Sequence, residues 1–119
     1  PVHTAIAAWE WGSYLGDEGL QNGIRVKISS FTRNSVKSTM GKAKAAANYL
    51  NSQMAKFEAI DCGYEEALLL DDEGFIAEGS GECFFIVRDG ILITPPNDNS
   101  LESITQDTVL QLAKDFNLP

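Results

Sequence analysis

The sequence predicts an α+β fold: a mixed, largely antiparallel sheet with helices packed on it. Three observations point there. Asp89-Gly90 stands between two β-rich apolar runs, a helical repeat occupies residues 45–59, and Ile24, Val26 and Ile28 alternate with Arg25, Lys27 and Ser29. Hairpins and helices follow one another without the regular strand–helix–strand rhythm of an all-parallel sheet.

Taken in order, the apolar run Ala5 to Trp9 is short enough for a buried strand. Gly16, Gly19 and Gly23 then break regularity. The alternation from Ile24 predicts a half-buried strand with its isoleucines and valine inward. Residues 31–41 are polar and read as a loop ending at Gly41. In the helix over 45–59, Ala46, Leu50, Met54 and Phe57 recur at spacings of four, four and three, which predicts the buried stripe. Gly63 after Cys62 supplies a left-handed stop.

Leu68-Leu69-Leu70 reads as a buried strand, and Asp71 to Gly74 as a turn into the short strand Phe75-Ile76-Ala77. Residues 83–87 and 91–94 flank Asp89-Gly90, whose two residues tolerate the positive φ of a tight hairpin. Pro95-Pro96 ends that pairing. Ser103 with Gln106 three residues on is a capping-box pattern, opening a helix with Ile104, Leu112, Ala113 and Phe116 as its expected buried stripe.

The 119 residues bound a single domain with room for a core. Nine basic against 17 acidic side chains give a net charge of −8. Without a basic cluster, that balance argues against nucleic-acid binding. No apolar run is long enough to span a bilayer as a helix. Cys62, Cys83 and the single histidine, His3, do not make a four-ligand zinc site, so no metal is expected. Both thiols are expected reduced and buried, as in a cytoplasmic protein.

Four features carry chemical content. Lys44 lies among alanines at the mouth of the helix, with Tyr49 five residues on. Desolvation there would free its amine to attack an aldehyde; a solvated lysine on an alanine-rich helix fits the same residues. Glu78 precedes a Gly79-Ser80-Gly81 turn, where its carboxylate can keep a heteroaromatic nitrogen protonated through a charge-assisted hydrogen bond or simply face solvent. Ile104-Thr105 opens the last helix, which suits a phosphate or merely a capped end. Trp11 and Tyr14 suit a pocket wall or a core.

Together, residues 11–16 (Trp-Gly-Ser-Tyr-Leu-Gly), Ser29-Ser30 with Arg33, Lys44 through Tyr49 and Leu50, Glu78-Gly-Ser-Gly-Glu, Thr94-Pro-Pro and Ile104-Thr105 stand in the order and spacing of one family. The chain resembles the pyridoxal-phosphate-dependent fold-type IV (class IV) aminotransferases, most of all those acting on branched-chain amino acids. The resemblance implies the pseudo-barrel large domain of the D-amino acid aminotransferase-like fold. It implies that Lys44 bonds pyridoxal 5'-phosphate, and Lys-x-x-x-Asn-Tyr spacing selects Lys44 over Lys42. It makes Tyr49 a partner of the phenolic oxygen, Glu78 a partner of the pyridine nitrogen, and Ile104 and Thr105 part of a phosphate cup. Leu101 would lie against the ring, Arg33 near its phenolic side, and Trp11 and Tyr14 along the substrate side chain.

The implied reaction is transamination of leucine, isoleucine and valine with 2-oxoglutarate. A D-amino acid transaminase, an aminodeoxychorismate lyase, or a non-catalytic interaction domain of the same fold are the alternatives. Family members are two to three times longer, so residues 1–119 are expected to be one partial domain, matching part of the C-terminal large domain. A phosphate-binding arginine and threonine would lie outside it. The chain by itself is therefore expected to be inactive, and, with sheet edges and an interface left open, to self-associate as a dimer or larger homo-oligomer.

Overall fold

The computed structural model describes residues 1–119. Its elements are helix α1 (Gly16–Asn22), strand β1 (Val26–Ile28), a 3-10 turn at Ala46–Asn48 running into helix α2 (Tyr49–Asp61), strands β2 (Glu66–Leu70), β3 (Ile76–Gly79), β4 (Ile86–Arg88) and β5 (Ile91–Ile93), and helix α3 (Ile104–Asp115). The α+β class holds, with one parallel and two antiparallel strand pairs.

β2 is the centre of the molecule. It pairs in parallel with β1, Val26 facing Glu66 and Ile28 facing Leu68, and antiparallel with β3, Leu69 facing Glu78. The β1 pairing continues past the strand, as Ser29 N donates to Leu68 O at 2.9 Å and Arg33 N to Leu70 O at 2.7 Å. Burial on both faces explains the unbroken leucine run. α2 lies on one face of β2, closing a small core of Ala55, Ala59, Ala67 and Leu69. Alanines at the contact let helix and sheet approach closely.

The hairpin β4–β5 is as expected: Asp89 and Gly90 take φ of 52° and 79°, and Ile86 faces Ile93. Gly63 closes α2 at φ 80°. Asp71 organises its turn by accepting from the amides of Glu73 and Phe75, and the Phe75 bond first of all holds its carboxyl below the usual range. Ser103 caps α3 by accepting from Gln106 N at 3.2 Å. The reciprocal half of the box is absent, because the Gln106 amide turns to Thr94 Oγ1 and Pro95 O instead. That bond docks α3 on the end of β5.

Several expectations are corrected. Residues 5–9 form no strand and are exposed; α1 forms where the glycines predicted irregularity. The faces of three elements are inverted. Val26 and Ile28 are exposed while Lys27 turns toward α2; Leu50, Met54 and Phe57 are exposed while Ala55 and Ala59 are buried; Ile104, Leu112 and Phe116 are exposed while Gln106 is buried. The physical reason is common to all three. Each apolar stripe faces away from the only partner available within this chain. Cys62 is exposed and Cys83 half-buried, and neither is paired. The radius of gyration, 15.7 Å, exceeds the roughly 13.5 Å of a compact chain this long.

The inverted face of β1 is held by charge. Glu58 of α2 accepts from Ser29 Oγ at 2.6 Å, from Lys27 Nζ at 2.9 Å and from Ser30 N at 3.0 Å. The Ser29 hydroxyl first, then Lys27 and Ser30, lower its pKa to about 2. A depressed carboxylate stabilises the fold above its ordinary value, and that contribution is lost as pH falls toward about 2. Urea unfolding followed across this acid range should therefore show a steeper loss of stability for the native chain than for Glu58→Gln, with the two curves converging at the acid end.

Candidate active site

The site is built where the sheet's β1–β2–β3 edge, the start of α2 and the start of α3 converge on a cleft of about 680 Å³. That volume lies in the range of small-molecule sites. Arg33, Lys44, Tyr49, Glu78, Leu101, Ile104 and Thr105 all line it. Seven residues spread over more than seventy positions of sequence are thus gathered into one cavity.

Lys44 sits on the loop before α2, at the centre of a three-residue turn closed by Ala45 N donating to Ala43 O at 2.8 Å. Asn48 fastens the loop, its amide donating to Ala43 O at 2.9 Å and Met40 O at 3.0 Å. The alanines do not desolvate the lysine, which is exposed together with Ala45, Ala46 and Ala47. Desolvation among alanines is therefore not what sets this amine apart; its turn and its place in the cleft do. Tyr49, half-buried, begins α2 at the cleft wall.

Glu78 comes from β3, opposite Leu69. Its carboxylate forms an ion pair with Arg33 Nε, reaching across β2, and accepts from Leu101 N at 3.3 Å. The side chains of Arg33 and Glu78 are only 7% and 15% exposed. Arg33 also donates to Gly41 O at 2.9 Å, so one guanidinium ties the carboxylate to the loop that carries Lys44. A carboxylate has about four lone-pair positions; two are used here, which leaves room for a further donor from the cleft. Arg33 thus stands against Glu78 rather than free for a ring's phenolic side.

At the start of α3, Ser103 caps the helix and accepts from Gln106, while the amides of Ile104 and Thr105 find no acceptor in the chain. Two free donors at the positive end of a twelve-residue helix suit an anion. Leu101 lies between that helix and Glu78.

Trp11 and Tyr14 do not line the cleft. Trp11 packs against Trp9 with ring centroids 5.7 Å apart, both on the exposed N-terminal segment. Tyr14 lies nearer, its ring 5.2 Å from Lys56 Nζ and its hydroxyl beside Gly81. The sequence reading missed Asn48 as the loop's clasp, although its place in the Lys-x-x-x-Asn-Tyr spacing was a signal. It also gave no role to Glu82, which lines the cleft from the turn after β3, although that glutamate closes the Glu78-Gly-Ser-Gly-Glu motif.

The profile of the class IV amino-transferases matches residues 1–119, the whole chain. The chain belongs to the class IV aminotransferases. Within that family it is 52% identical, over 94% of its length, to the branched-chain-amino-acid aminotransferase of Pseudomonas aeruginosa, of which it covers 36%. It superposes on the crystal structure of the Escherichia coli branched-chain amino acid aminotransferase with a TM-score of 0.91 at 43% identity, covering 94% of this chain and 37% of that one. It is likewise similar to the branched-chain amino acid aminotransferase of Thermobaculum terrenum in its PLP form, with a TM-score of 0.77 at 48% identity, over 78% of this chain and 31% of that one. The class IV chain thus spans about a third of the length of the relatives it matches.

Removing one member of the buried pair strands the other. Arg33→Met should cost about 3–5 kcal/mol in denaturant unfolding, and Arg33→Met combined with Glu78→Leu should recover much of it; a double variant that costs the sum of the two single variants would mean that the pair carries no coupling.

Proposed function

We propose that the chain is the lysine-bearing part of a branched-chain amino acid aminotransferase that uses pyridoxal 5'-phosphate. The protein would pass the amino group of leucine, isoleucine or valine to 2-oxoglutarate, giving 2-oxo acids and glutamate. The observation that carries the reading is the convergence of Lys44, Glu78 and the free amides of Ile104 and Thr105 on one cleft. Relatives that bear this name, one of them in a PLP form, support it.

The residues present fit that cofactor. An amine for an aldehyde, a carboxylate with spare lone pairs for a ring nitrogen, and a helix N-terminus for a phosphate border a cavity of sufficient size. When bound, pyridoxal phosphate supplies an electron sink for negative charge developing at the substrate's α-carbon. Glu78 orients the ring and stabilises the proton on its nitrogen. Ile104 and Thr105 hold the phosphate, Tyr49 the phenolic oxygen, and Leu101 packs against the ring. Lys44 would hold the cofactor until the substrate's amino group displaces it, and the freed amine would then take the proton from the substrate's α-carbon. Arg33 balances Glu78 from within the sheet.

A side-chain pocket opening from the cleft would separate leucine, isoleucine and valine only weakly, since one methylene is worth about 1–3 kcal/mol; Trp11 and Tyr14, which lie off the cleft, do not form its wall within this chain. Residues 1–119 correspond on this reading to part of a C-terminal large domain. The open stripes on β1, α2 and α3 are then surfaces that the rest of that domain and a second copy would cover, in a cytoplasmic homodimer or larger assembly. The isolated chain, lacking other phosphate-binding groups, would hold the cofactor weakly and turn over no substrate.

Incubation with pyridoxal phosphate, borohydride reduction and peptide mapping tests the reading. The adduct should concentrate on Lys44 and disappear in Lys44→Ala. Labelling shared evenly with Lys42 and the other lysines would count against it. Assay of the complete protein with leucine, D-alanine and aminodeoxychorismate separates the branched-chain enzyme from its relatives.

A further inference from the structure

Behind the Gly79-Ser80-Gly81 turn lies a cluster of ionisable groups that the proposed chemistry does not use. Glu66 of β2, only 4% exposed, accepts from Lys56 Nζ of α2 at 2.6 Å. Burial works against its charge, but Lys56, Ser80 and the Ala67 amide together hold its carboxyl below the ordinary range. The Glu82 carboxyl lies within hydrogen-bonding reach of Glu66, and one of its oxygens, Oε1, is enclosed with no partner. Its own carbonyl accepts from Gly79 N at 2.8 Å. A Cβ at Gly79 would sit 2.6 Å from Glu82 Oε2, so the turn is closed directly over this side chain. Glu78 is the residue before Gly79.

Two neighbouring carboxyls in a partly buried site cannot both be ionised at low cost, which favours a proton on one of them. Lys56 is engaged by Glu66, by Glu65 O at 2.6 Å and by the Tyr14 ring, which assigns the negative charge to Glu66. Burial first, then the charge on Glu66, pushes the Glu82 pKa up to about 7. The other charged groups bordering the same cleft are Arg33, Lys42, Lys44, Glu78 and Glu102.

We propose that Glu82 is a positioning residue: as a neutral acid donating to Glu66, it locks the Gly79–Gly81 turn and so fixes the direction of the Glu78 carboxylate. The inference rests on the aminotransferase reading for its purpose, though not for the proton itself. Ionisation of Glu82 would set two anions against each other beneath the turn and loosen it. Glutamine in its place keeps a donor that does not titrate.

Infrared difference spectra of the complete protein without cofactor test the proton. A protonated-carboxyl band should be present below about pH 6, vanish as pH passes about 7, and be missing in Glu82→Gln. Pyridoxal phosphate affinity, measured by fluorescence, tests the positioning. Relative to Glu82→Gln, the native protein should lose roughly fivefold as pH rises past about 8, the effect of one buried hydrogen bond. Glu66→Gln, which removes the repelling charge, should shift the band's midpoint downward. Absence of the band at any pH overturns the proposal, as does a pH dependence of affinity identical in native protein and Glu82→Gln. A titrating band with no cofactor binding at any pH would overturn the aminotransferase reading and, with it, the role assigned to Glu82, while leaving the shared proton in place.

Discussion

The ion pair between Arg33 and Glu78 is the constraint on which the rest of the site depends. It crosses the central strand β2, joining the extension of β1 to β3, and Arg33 extends the link to the carbonyl of Gly41 on the lysine loop. Leu101 N adds a second link, from Glu78 to the segment leading into α3. Three stretches distant in sequence thereby meet around one carboxylate. Burial makes this expensive to break, because either charge left alone in the sheet would lack compensation. It also makes the carboxylate a fixed feature of the cleft, already oriented before any ligand arrives.

The wider architecture is less self-sufficient. Its enclosed core is four residues, three of them alanine, and the larger apolar side chains of β1, α2 and α3 face outward. What keeps the faces in place is polar: Glu58 binding β1, Asn51 donating to Thr32 O, Asn48 clasping the lysine loop, and Gln106 anchoring α3 to β5. The cleft thus keeps its shape through hydrogen bonds and ion pairs while apolar burial remains incomplete. This division suits a chain that spans about a third of its relatives' length.

Local chemistry was legible in the sequence. Asp89-Gly90 dictated the hairpin, Ser103 the helix start, Gly63 the helix stop and the leucine run the central strand, each through an interaction a few residues long. The faces of β1, α2 and α3 were not legible in the same way, since periodicity reports which residues share a face but not whether a partner is present to cover it. α1 escaped because its glycines disfavour helix yet tolerate it. The cleft residues were recognised through the spacing of several motifs together; no single residue distinguished them. Arg33 as the partner of Glu78, and Glu82 beneath the turn, depend on contacts across the sheet that no local pattern encodes.

The central claim is that Glu78, held by Arg33, presents a carboxylate to the nitrogen of a ring held by Lys44. Nitrogen NMR of isotope-labelled pyridoxal phosphate bound to the complete protein measures that directly. The account predicts a protonated ring nitrogen in the native protein and an unprotonated one in Glu78→Gln at the same pH. A ring nitrogen unprotonated in the native protein, or one whose signal is indifferent to the loss of the Glu78 charge, would contradict it.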